Sequence, residues 1–331
     1  MHTWTKLLII AAAATVLIIA GSYVYFQSLI RTRLLISTTT SLWETGLLNA
    51  TKQAFEAEYP INLAFIAVGT GQAIQQAQGG SVDALLVHSP SQEAQFLTGG
   101  DGVCRKIIAY NFFTIVGPAS DPANINGSSV TTALKKIVDY GRNHTTDRIW
   151  VSRGDGSGTH TKEKSLWAKA NFNYTQISAE TWYASAAQGM SQTLNMANEF
   201  EAYALSDTGT YWKLSKDGTV SLVAFITETK DLLNVYSVMA VNQTKHPSVN
   251  FTNAITFIRY LISDEGQQLI DNYGNDTYGR SLFHSTVQLL KENSTLQIVQ
   301  WIKDYAFIKE GNESYECPPQ YRDSRYPELY S

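Results

Sequence analysis

Short apolar runs alternate with segments of helical spacing along most of the chain. The run at 83–90 is too continuous for a half-exposed strand and is typical of a parallel strand buried on both faces, and 61–69 is also strand-like. Segments 42–59 and 251–273 have helical spacing of apolar residues, and 182–198 is also predicted to be helical. Alternating strands and helices indicate an α/β fold.

Two longer apolar segments, 107–116 and 235–242, are predicted to be strands that cross between two sheets. We therefore expect two lobes with parallel-type sheets, joined by a hinge, with a ligand in the cleft between them. The predicted division is 32–115 and 235–290 for the first lobe, 116–234 for the second lobe, and 291–331 for a C-terminal extension.

Hydroxyl side chains stand where the predicted strands end and the following helices begin. Thr40 and Ser41 follow the first strand, Thr70 follows the second, and Ser89 follows the third. Because a helix N-terminus attracts anions, these hydroxyls are candidate anion ligands, although capping of the helix is the alternative interpretation. His88 is interpreted as a structural residue, since no partner stands at metal-ligand spacing.

The loop at 152–160, SRGDGSGTH, adds further hydroxyls and joins them to an arginine. Arg153 supplies a planar fork of donors suited to a tetrahedral oxyanion, and Asp155 could hold that fork in place. Ser157 and Thr159 are further donors, and the glycines allow backbone N–H groups to turn toward one point. A plain turn with a helix cap explains the loop equally well, and a P-loop is excluded because its lysine is absent.

Composition narrows the class of protein. The 331 residues are 44% hydrophobic and 16% charged, with a formal net charge of −4. The chain is therefore globular and long enough for two lobes, and it has no basic excess for nucleic acid. No cofactor, catalytic residue or free metal cation is expected.

The N-terminal residues 1–31 are predicted to be a signal peptide or a membrane anchor. Segment 7–26 contains no charged residue and is long enough to span a bilayer, while 20–22 offers small residues for signal cleavage. The protein is therefore expected outside the cell, either secreted or anchored at the outer face of the membrane.

Asparagine sequons are more frequent than chance would give, which supports export through a glycosylating pathway and predicts a glycoprotein. The nine predicted acceptors are Asn49, Asn126, Asn143, Asn173, Asn242, Asn250, Asn275, Asn293 and Asn312.

Cys104 and Cys317 are the two cysteines of the chain. In an oxidising compartment they are predicted to form a disulfide that pins the C-terminal tail. Two unpaired thiols are the alternative.

Seven segments, in order, resemble the motifs of the tungstate-binding proteins of tungstate ABC importers, which have the type II periplasmic-binding-protein fold. They are TTTS (38–41), VGTGQA (68–73), VHSP (87–90), NFFTIVGPASDP (111–122), SRGDGSGTH (152–160), QGMSQTLNMANE (188–199) and VNQTKHP (241–247). The resemblance implies oxyanion contacts from Thr40, Ser41, Thr70, Arg153, Ser157 and Thr159, with Ser89 a weaker candidate.

The resemblance also implies a partner. An archaeal member of the family would deliver its anion to an ABC permease. The sequons, the missing lipoprotein cysteine and the C-terminal extension fit a eukaryotic secreted relative, for example a fungal one, equally well. Such a relative would scavenge or sense the anion.

Two alternatives remain at this point. A phosphate- or sulfate-binding protein would carry a loop similar to 153–159, but the third strand lacks the aspartate that accepts the proton of hydrogen phosphate. A secreted hydrolase would use Ser157 or Ser89 with His88 or His160, but the sequence has no nucleophile-elbow motif.

Overall fold

The structure, a computed structural model, describes residues 31–292 and 295–330 together with Thr15. The predicted signal or anchor at 1–31 therefore lies almost entirely outside the described residues, as does Asn293. Within the described ranges, no helix combines the length and the apolar character needed to cross a membrane.

Strands and helices alternate through the described chain, as predicted. The strands are β1 (Thr32–Thr39), β2 (Ile61–Val68), β3 (Ala84–Val87), β4 (Gly102–Gly117), β5 (Trp150–Ser152), β6 (Tyr183–Ser185), β7 (Tyr203–Asp207), β8 (Val223–Ile226), β9 (Leu233–Val241), β10 (His284–Ser285), β11 (Ile308–Glu310) and β12 (Glu313–Tyr315).

The helices connect these strands and continue into the C-terminal region. They are α1 (Thr40–Thr45), α2 (Leu47–Glu58), α3 (Thr70–Gln78), α4 (Pro90–Thr98), α5 (Val130–Asn143), α6 (Gly158–Lys169), α7 (Tyr174–Ile177), α8 (Met190–Glu199), α9 (Thr208–Lys216), α10 (Phe251–Ile262), α11 (Asp264–Asn272), α12 (Asn275–Tyr278), α13 (Val287–Lys291) and α14 (Gln297–Ala306).

The main sheet has the order β2–β1–β3–β9–β4–β7–β5–β6, with β8 and β10 also paired to β4. In the first lobe β1 pairs in parallel with β2 and β3, and in the second lobe β5 pairs in parallel with β6 and β7. Strands β4 and β9 run antiparallel to their neighbours. The prediction of parallel-type sheets is therefore confirmed for three strands in each lobe, and the two crossing strands that join them are antiparallel to their neighbours.

The crossing between the lobes is made where β4 and β9 meet. Strand β4 pairs with β9 up to Phe112 and with β7 from Phe113 onward, so it belongs to both lobes. Phe112 stands opposite Leu233, the first residue of β9. Each lobe has its own apolar core, one centred on residues such as Phe55 and one on residues such as Trp167. This places the hinge at a single level of the sheet.

The predicted helix at 182–198 is wrong in its first half. Trp182 is followed by the short strand β6, and helix α8 begins only at Met190. Tyr183 pairs with Trp150 of β5, so sheet pairing decides the structure of a segment whose apolar content also fits a helix.

The C-terminal extension packs against the crossing strands. Ile302 and Ala306 of α14 join Ile107, Phe112 and Leu233 in one buried cluster. Beyond α14, the tail is attached by the buried Leu329, by the Arg259–Glu328 pair and by Glu316. Its carboxylate accepts from Lys106 Nζ at 2.6 Å and from the Ile107 N–H at 2.5 Å. The extension is therefore part of the folded body.

The predicted disulfide is not formed. Cys104 and Cys317 are both buried free thiols. The Cys317 Sγ lies 3.6 Å from the Tyr321 carbonyl oxygen. Burial raises the pKa of Cys104 to about 12, which disfavours the thiolate that disulfide formation requires. Hydrogen bonds and packing, rather than a covalent link, hold the tail.

A buried ion pair ties β4 to α4. Arg105 donates to Glu93 Oε2 from Nε at 3.0 Å and from Nη2 at 2.7 Å, and both side chains are fully buried. We expect Arg105→Met to lower the free energy of unfolding by about 3–5 kcal/mol, because it leaves a buried carboxylate uncompensated. Arg142→Met, which breaks the exposed Arg142–Glu180 pair, should cost less than about 1 kcal/mol. Urea denaturation measures both, and equal losses would contradict the argument.

Candidate functional site

The predicted hydroxyls gather at the carboxyl ends of the parallel strands, facing the junction of the lobes. Thr40 begins α1 directly after β1, and Thr70 begins α3 after β2. Ser157 caps α6 by accepting from the His160 N–H at 3.3 Å. Except for the half-buried Thr40, the predicted site residues are buried: Ser41, Thr70, Ser89, Arg153, Ser157 and Thr159.

Two hydrogen bonds join the lobes at this point. The Arg153 Nη2, from the second lobe, donates to Thr40 Oγ1 of the first lobe. The backbone N–H of Gly158 donates to Thr70 Oγ1 at 3.1 Å. The structure thus brings together residues 113 and 88 positions apart in the chain, and the cleft is closed.

Arg153 has one anionic partner and one unused nitrogen. Its Nε donates to Asp155 Oδ2 at 2.9 Å, as the sequence predicts, while Nη1 is buried without a hydrogen-bond partner. Thr159 Oγ1 is buried without a partner as well. Each unsatisfied buried donor costs about 1–3 kcal/mol, so these two groups indicate where an acceptor from a ligand would bind.

The backbone N–H groups of the loop are used differently from the prediction. Gly156 N–H donates to His160 Nδ1 at 2.9 Å, and Ser157 N–H donates to Asp155 Oδ1 at 3.0 Å. Gly154 adopts a φ of +66°, and a Cβ there would lie 1.8 Å from Ser185 Oγ. The glycines therefore shape a tight loop in which these two backbone donors are used by the loop itself.

Ser41 and Ser89 differ in their position relative to the Arg153 loop. Ser41 Oγ lies 3.4 Å from His88 Nε2, and His88 packs against the start of α6, where a Cβ on Gly158 would lie 2.9 Å from His88 Cε1. Ser89 caps the start of α4 through its backbone, whose N–H donates to Glu93 Oε1 at 2.7 Å. Ser41 therefore belongs to the closed site, whereas no recorded contact joins Ser89 to the Arg153 loop.

Sequence reasoning missed a buried carboxylate, Asp207, at the end of β7. Its Oδ1 caps α9 by accepting from the Thr210 N–H at 2.8 Å, and its Oδ2 is buried without a partner. Burial raises the pKa of Asp207 to about 6, and the nearby charge of Arg153 opposes that shift. The sequence signal that could have identified Asp207 is its position between a strand and a helix, where the predicted ligand residues also stand.

Sequence reasoning also missed a set of hydrogen bonds between the lobes, centred on Glu44. Glu44 of α1 accepts from the Ser191 N–H at 3.1 Å and from the Ser191 hydroxyl at 2.8 Å, at the start of α8. Lys213 Nζ donates to the Glu44 carbonyl at 2.6 Å. A first-lobe carboxylate therefore occupies the positive end of a second-lobe helix.

The histidines do not form the predicted serine pairs of a hydrolase. His160 Nε2 lies 2.6 Å from the Tyr174 hydroxyl, and its other nitrogen accepts from Gly156. His88 contacts Ser41 rather than Ser157 or Ser89. In the described part of the chain, no three residues of metal-ligating type cluster together.

Fold and site together define a two-lobed solute-binding protein, and the chain belongs to the PBP superfamily, whose domain its residues 27–265 match. A relative is the tungstate-binding protein TupA of Peptoclostridium acidaminophilum, 38% identical over 254 residues that cover 76% of this chain and 84% of that protein. TupA of Campylobacter jejuni is 35% identical over 231 residues, covering 69% of this chain and 82% of its own length.

Solved structures of tungstate-binding proteins are also similar to this chain. The tungstate ABC transporter structure from Geobacter sulfurreducens is 40% identical with a TM-score of 0.65, covering 73% of this chain and 98% of that one. TupA from Desulfovibrio alaskensis G20 is 37% identical with a TM-score of 0.64, covering 77% and 99%. The predicted fold family is confirmed.

Proposed function

We propose that this protein binds a fully ionised tetrahedral oxyanion, tungstate or molybdate, in the cleft between its lobes. The observation that carries the proposal is the pair of buried, unpartnered donors, Arg153 Nη1 and Thr159 Oγ1, beside the interlobe contacts. The tungstate-binding names of the relatives support it. Thr40, Ser41, Thr70 and Ser157 complete the proposed ligand set, with Ser89 at its margin.

The proposed site also fits the proton content of the anion. Tungstate and molybdate carry no proton at neutral pH and require only donors, whereas hydrogen phosphate also needs an acceptor. Asp207 is a specific observation in favour of phosphate as a second candidate, because its Oδ2 is unpartnered and lies within the electrostatic influence of Arg153. At pH 7 this carboxylate, with a pKa of about 6, is mostly ionised and repels a dianion.

A hydrolase is the other class to be tested. Ser41, His88 and Asn234 form a series in which Ser41 Oγ lies 3.4 Å from His88 Nε2 and His88 Nδ1 lies 2.8 Å from Asn234 Oδ1. Burial lowers the pKa of His88 to about 4, which makes it a weak general base at neutral pH. The protein is therefore proposed to be a non-enzymatic binder, and incubation with chromogenic esters tests this.

The location and partners are proposed on the same basis. Relatives named as ABC-transporter components support an extracellular or cell-surface protein with an ABC permease as partner. The two apolar cores support a division into two lobes, with the second boundary near 234/235 and 291–331 as an added extension. Phe113 and Ile115 pack in the core of the second lobe, so we place the first boundary at 112/113 rather than at 115/116.

Competition calorimetry at pH 7 tests the anion. We expect tungstate and molybdate to bind most tightly, sulfate more weakly because it is smaller, and phosphate weakest. Asp207→Asn removes the carboxylate and should strengthen the binding of tungstate while weakening that of phosphate. Tight phosphate binding without a tungstate signal would reject the assignment.

Arg153→Ala should weaken tungstate binding by at least about tenfold to a hundredfold, since a charged hydrogen bond contributes about 1.5–3 kcal/mol. Arg153→Lys should recover only part, because its ammonium lacks the planar fork. Arg142→Ala, which breaks the exposed pair with Glu180 and removes no proposed ligand, is the matched control and should bind as the parent does. Calorimetry gives the affinities, and an Arg153→Ala variant with unchanged affinity would show that the site is elsewhere.

We also propose that the protein is a glycoprotein in which some of the predicted asparagine acceptors are glycosylated and others are not. Asn242 and Asn250 are half-buried, and each contacts a segment distant in sequence: Asn242 Nδ2 donates to the Gly100 carbonyl at 2.9 Å and Asn250 Nδ2 to the Arg33 carbonyl at 3.3 Å, so a glycan there would crowd packed chain. Peptide mapping after glycosidase treatment should find little modification at these two, and none at any position would contradict export through a glycosylating pathway. The exposed acceptors expected to be modified are Asn49, Asn126, Asn143, Asn173, Asn275 and Asn312.

A further inference from the structure

Ser41 stands at one end of a chain of hydrogen bonds whose direction is fixed at the other end. The Leu282 carbonyl can only accept, so Asn111 presents its amide nitrogen to it at 3.3 Å and its oxygen to Asn234. Asn234 donates its amide nitrogen to that oxygen at 2.9 Å and turns its own oxygen to His88 Nδ1 at 2.8 Å. Because an amide oxygen accepts, His88 Nδ1 carries a proton.

The other ring nitrogen of His88, Nε2, is therefore unprotonated when the ring is neutral. Burial lowers the pKa of His88 to about 4, and Arg153 acts in the same direction, so the ring is neutral at pH 7. His88 Nε2 then only accepts, and Ser41 Oγ, 3.4 Å away, is the hydroxyl that can donate to it. Thr39 Oγ1, the other neighbour of Ser41 Oγ at 3.3 Å, already accepts from the Leu42 N–H and can donate its own proton to Ser41, so Ser41 is free to direct its proton toward His88. In this state Ser41 offers a lone pair to the cleft.

That polarity is wrong for a fully ionised oxyanion, which accepts hydrogen bonds and donates none. If Ser41 turned its hydroxyl to the anion, His88 Nε2 would remain buried without a donor. Protonation of Nε2 removes the conflict, because the ring then donates to Ser41 and Ser41 donates to the anion. Two negative charges next to Ser41 also favour the imidazolium.

We propose that His88 is a positioning residue that takes up a proton from solvent when the anion binds, converting Ser41 from an acceptor into a donor. The inference rests on the proposed binding of a fully ionised oxyanion. Asn234 keeps the proton on Nδ1 in both states, so Nε2 is the nitrogen that changes. His88 thereby contributes both to the orientation of Ser41 and to the charge balance of the occupied site.

The groups around His88 set the conditions for this step. Arg153 and the N-terminus of α6 at Gly158 both oppose protonation in the empty site. Tyr236 of β9, with ring centroids 4.9 Å apart, and Phe113 of β4, at 6.2 Å, are uncharged. Asp207 is the competing proton acceptor, because it also lies near Arg153 and has a pKa of about 6.

Calorimetric titration of the full chain with sodium tungstate at pH 7, in buffers of differing ionisation enthalpy, counts the protons taken up. We expect an uptake on the order of one proton per anion and an affinity that falls by up to about tenfold per pH unit as the pH rises. His88→Gln, which keeps an amide donor beside Ser41, should bind without uptake, whereas Asp207→Asn should retain it. Uptake that persists in His88→Gln or disappears in Asp207→Asn would overturn the proposal.

Histidine-labelled NMR of the unsubstituted chain gives an answer that does not depend on a variant folding. His88 should be protonated at Nδ1 alone before tungstate is added and at both nitrogens at saturation. Binding with an unchanged ring would overturn the role of His88 while leaving the oxyanion function intact. No binding heat with tungstate or molybdate would overturn the proposed function, and the proton uptake with it.

Discussion

The buried guanidinium of Arg153 is the charge on which the arrangement of the two lobes depends. Its residue is 1% exposed, and Asp155 is the carboxylate that bonds to it within the described chain. One nitrogen reaches across the cleft to Thr40, and another has no partner. A buried charge with incomplete hydrogen bonding is unfavourable, so the proposed anion would complete the closed form, which the protein alone does not.

A buried carboxyl group stiffens the loop that carries Arg153. Glu163 of α6 accepts from Trp150 Nε1 at 2.9 Å, from Ser152 Oγ at 2.7 Å and from the Tyr183 hydroxyl at 2.7 Å. Burial raises the pKa of Glu163, and these hydrogen bonds oppose that shift. The carboxylate ties β5, β6 and α6 together behind the loop. Arg153 is therefore held before any ligand arrives, which reduces the ordering cost of binding.

Sequence reasoning predicted the parts of the site that depend on local chemistry. Hydroxyls at strand ends and the Arg153–Asp155 pair follow from residue type and spacing, and the structure contains them. The pairing of Thr40 with Arg153 depends on how two distant loops meet, which no local pattern contains. Two of the expected backbone donors are occupied for a related reason: the side chains of His160 and Asp155, close in sequence, accept from the N–H groups of Gly156 and Ser157.

The direction of the crossing strands was not predictable in the same way. A strand buried on both faces is continuously apolar whether its neighbour is parallel or antiparallel, so β4 and β9 carry no sequence signal of direction. Likewise, Asp207 looks like an ordinary helix cap, and only its burial and its unpartnered oxygen distinguish it.

The hydrogen bonds that support Ser41 lie within one lobe, whereas the interlobe hydrogen bonds of Arg153 and Gly158 form only when the two lobes are closed. Asn111 of β4 stands opposite Asn234 of β9 in the strand register, so the polar support of His88 and Ser41 lies within one lobe and its sheet. The contacts from Arg153 to Thr40 and from Gly158 to Thr70 instead link different lobes and would break if the lobes separated. An incoming anion would therefore meet neutral hydroxyls already in place on the first lobe. The guanidinium would arrive with the second lobe, so the proposed charged hydrogen bond from Arg153 to the anion would form only on closure. The anion would then bind the closed state more tightly than the open state, and this difference in affinity would favour closure.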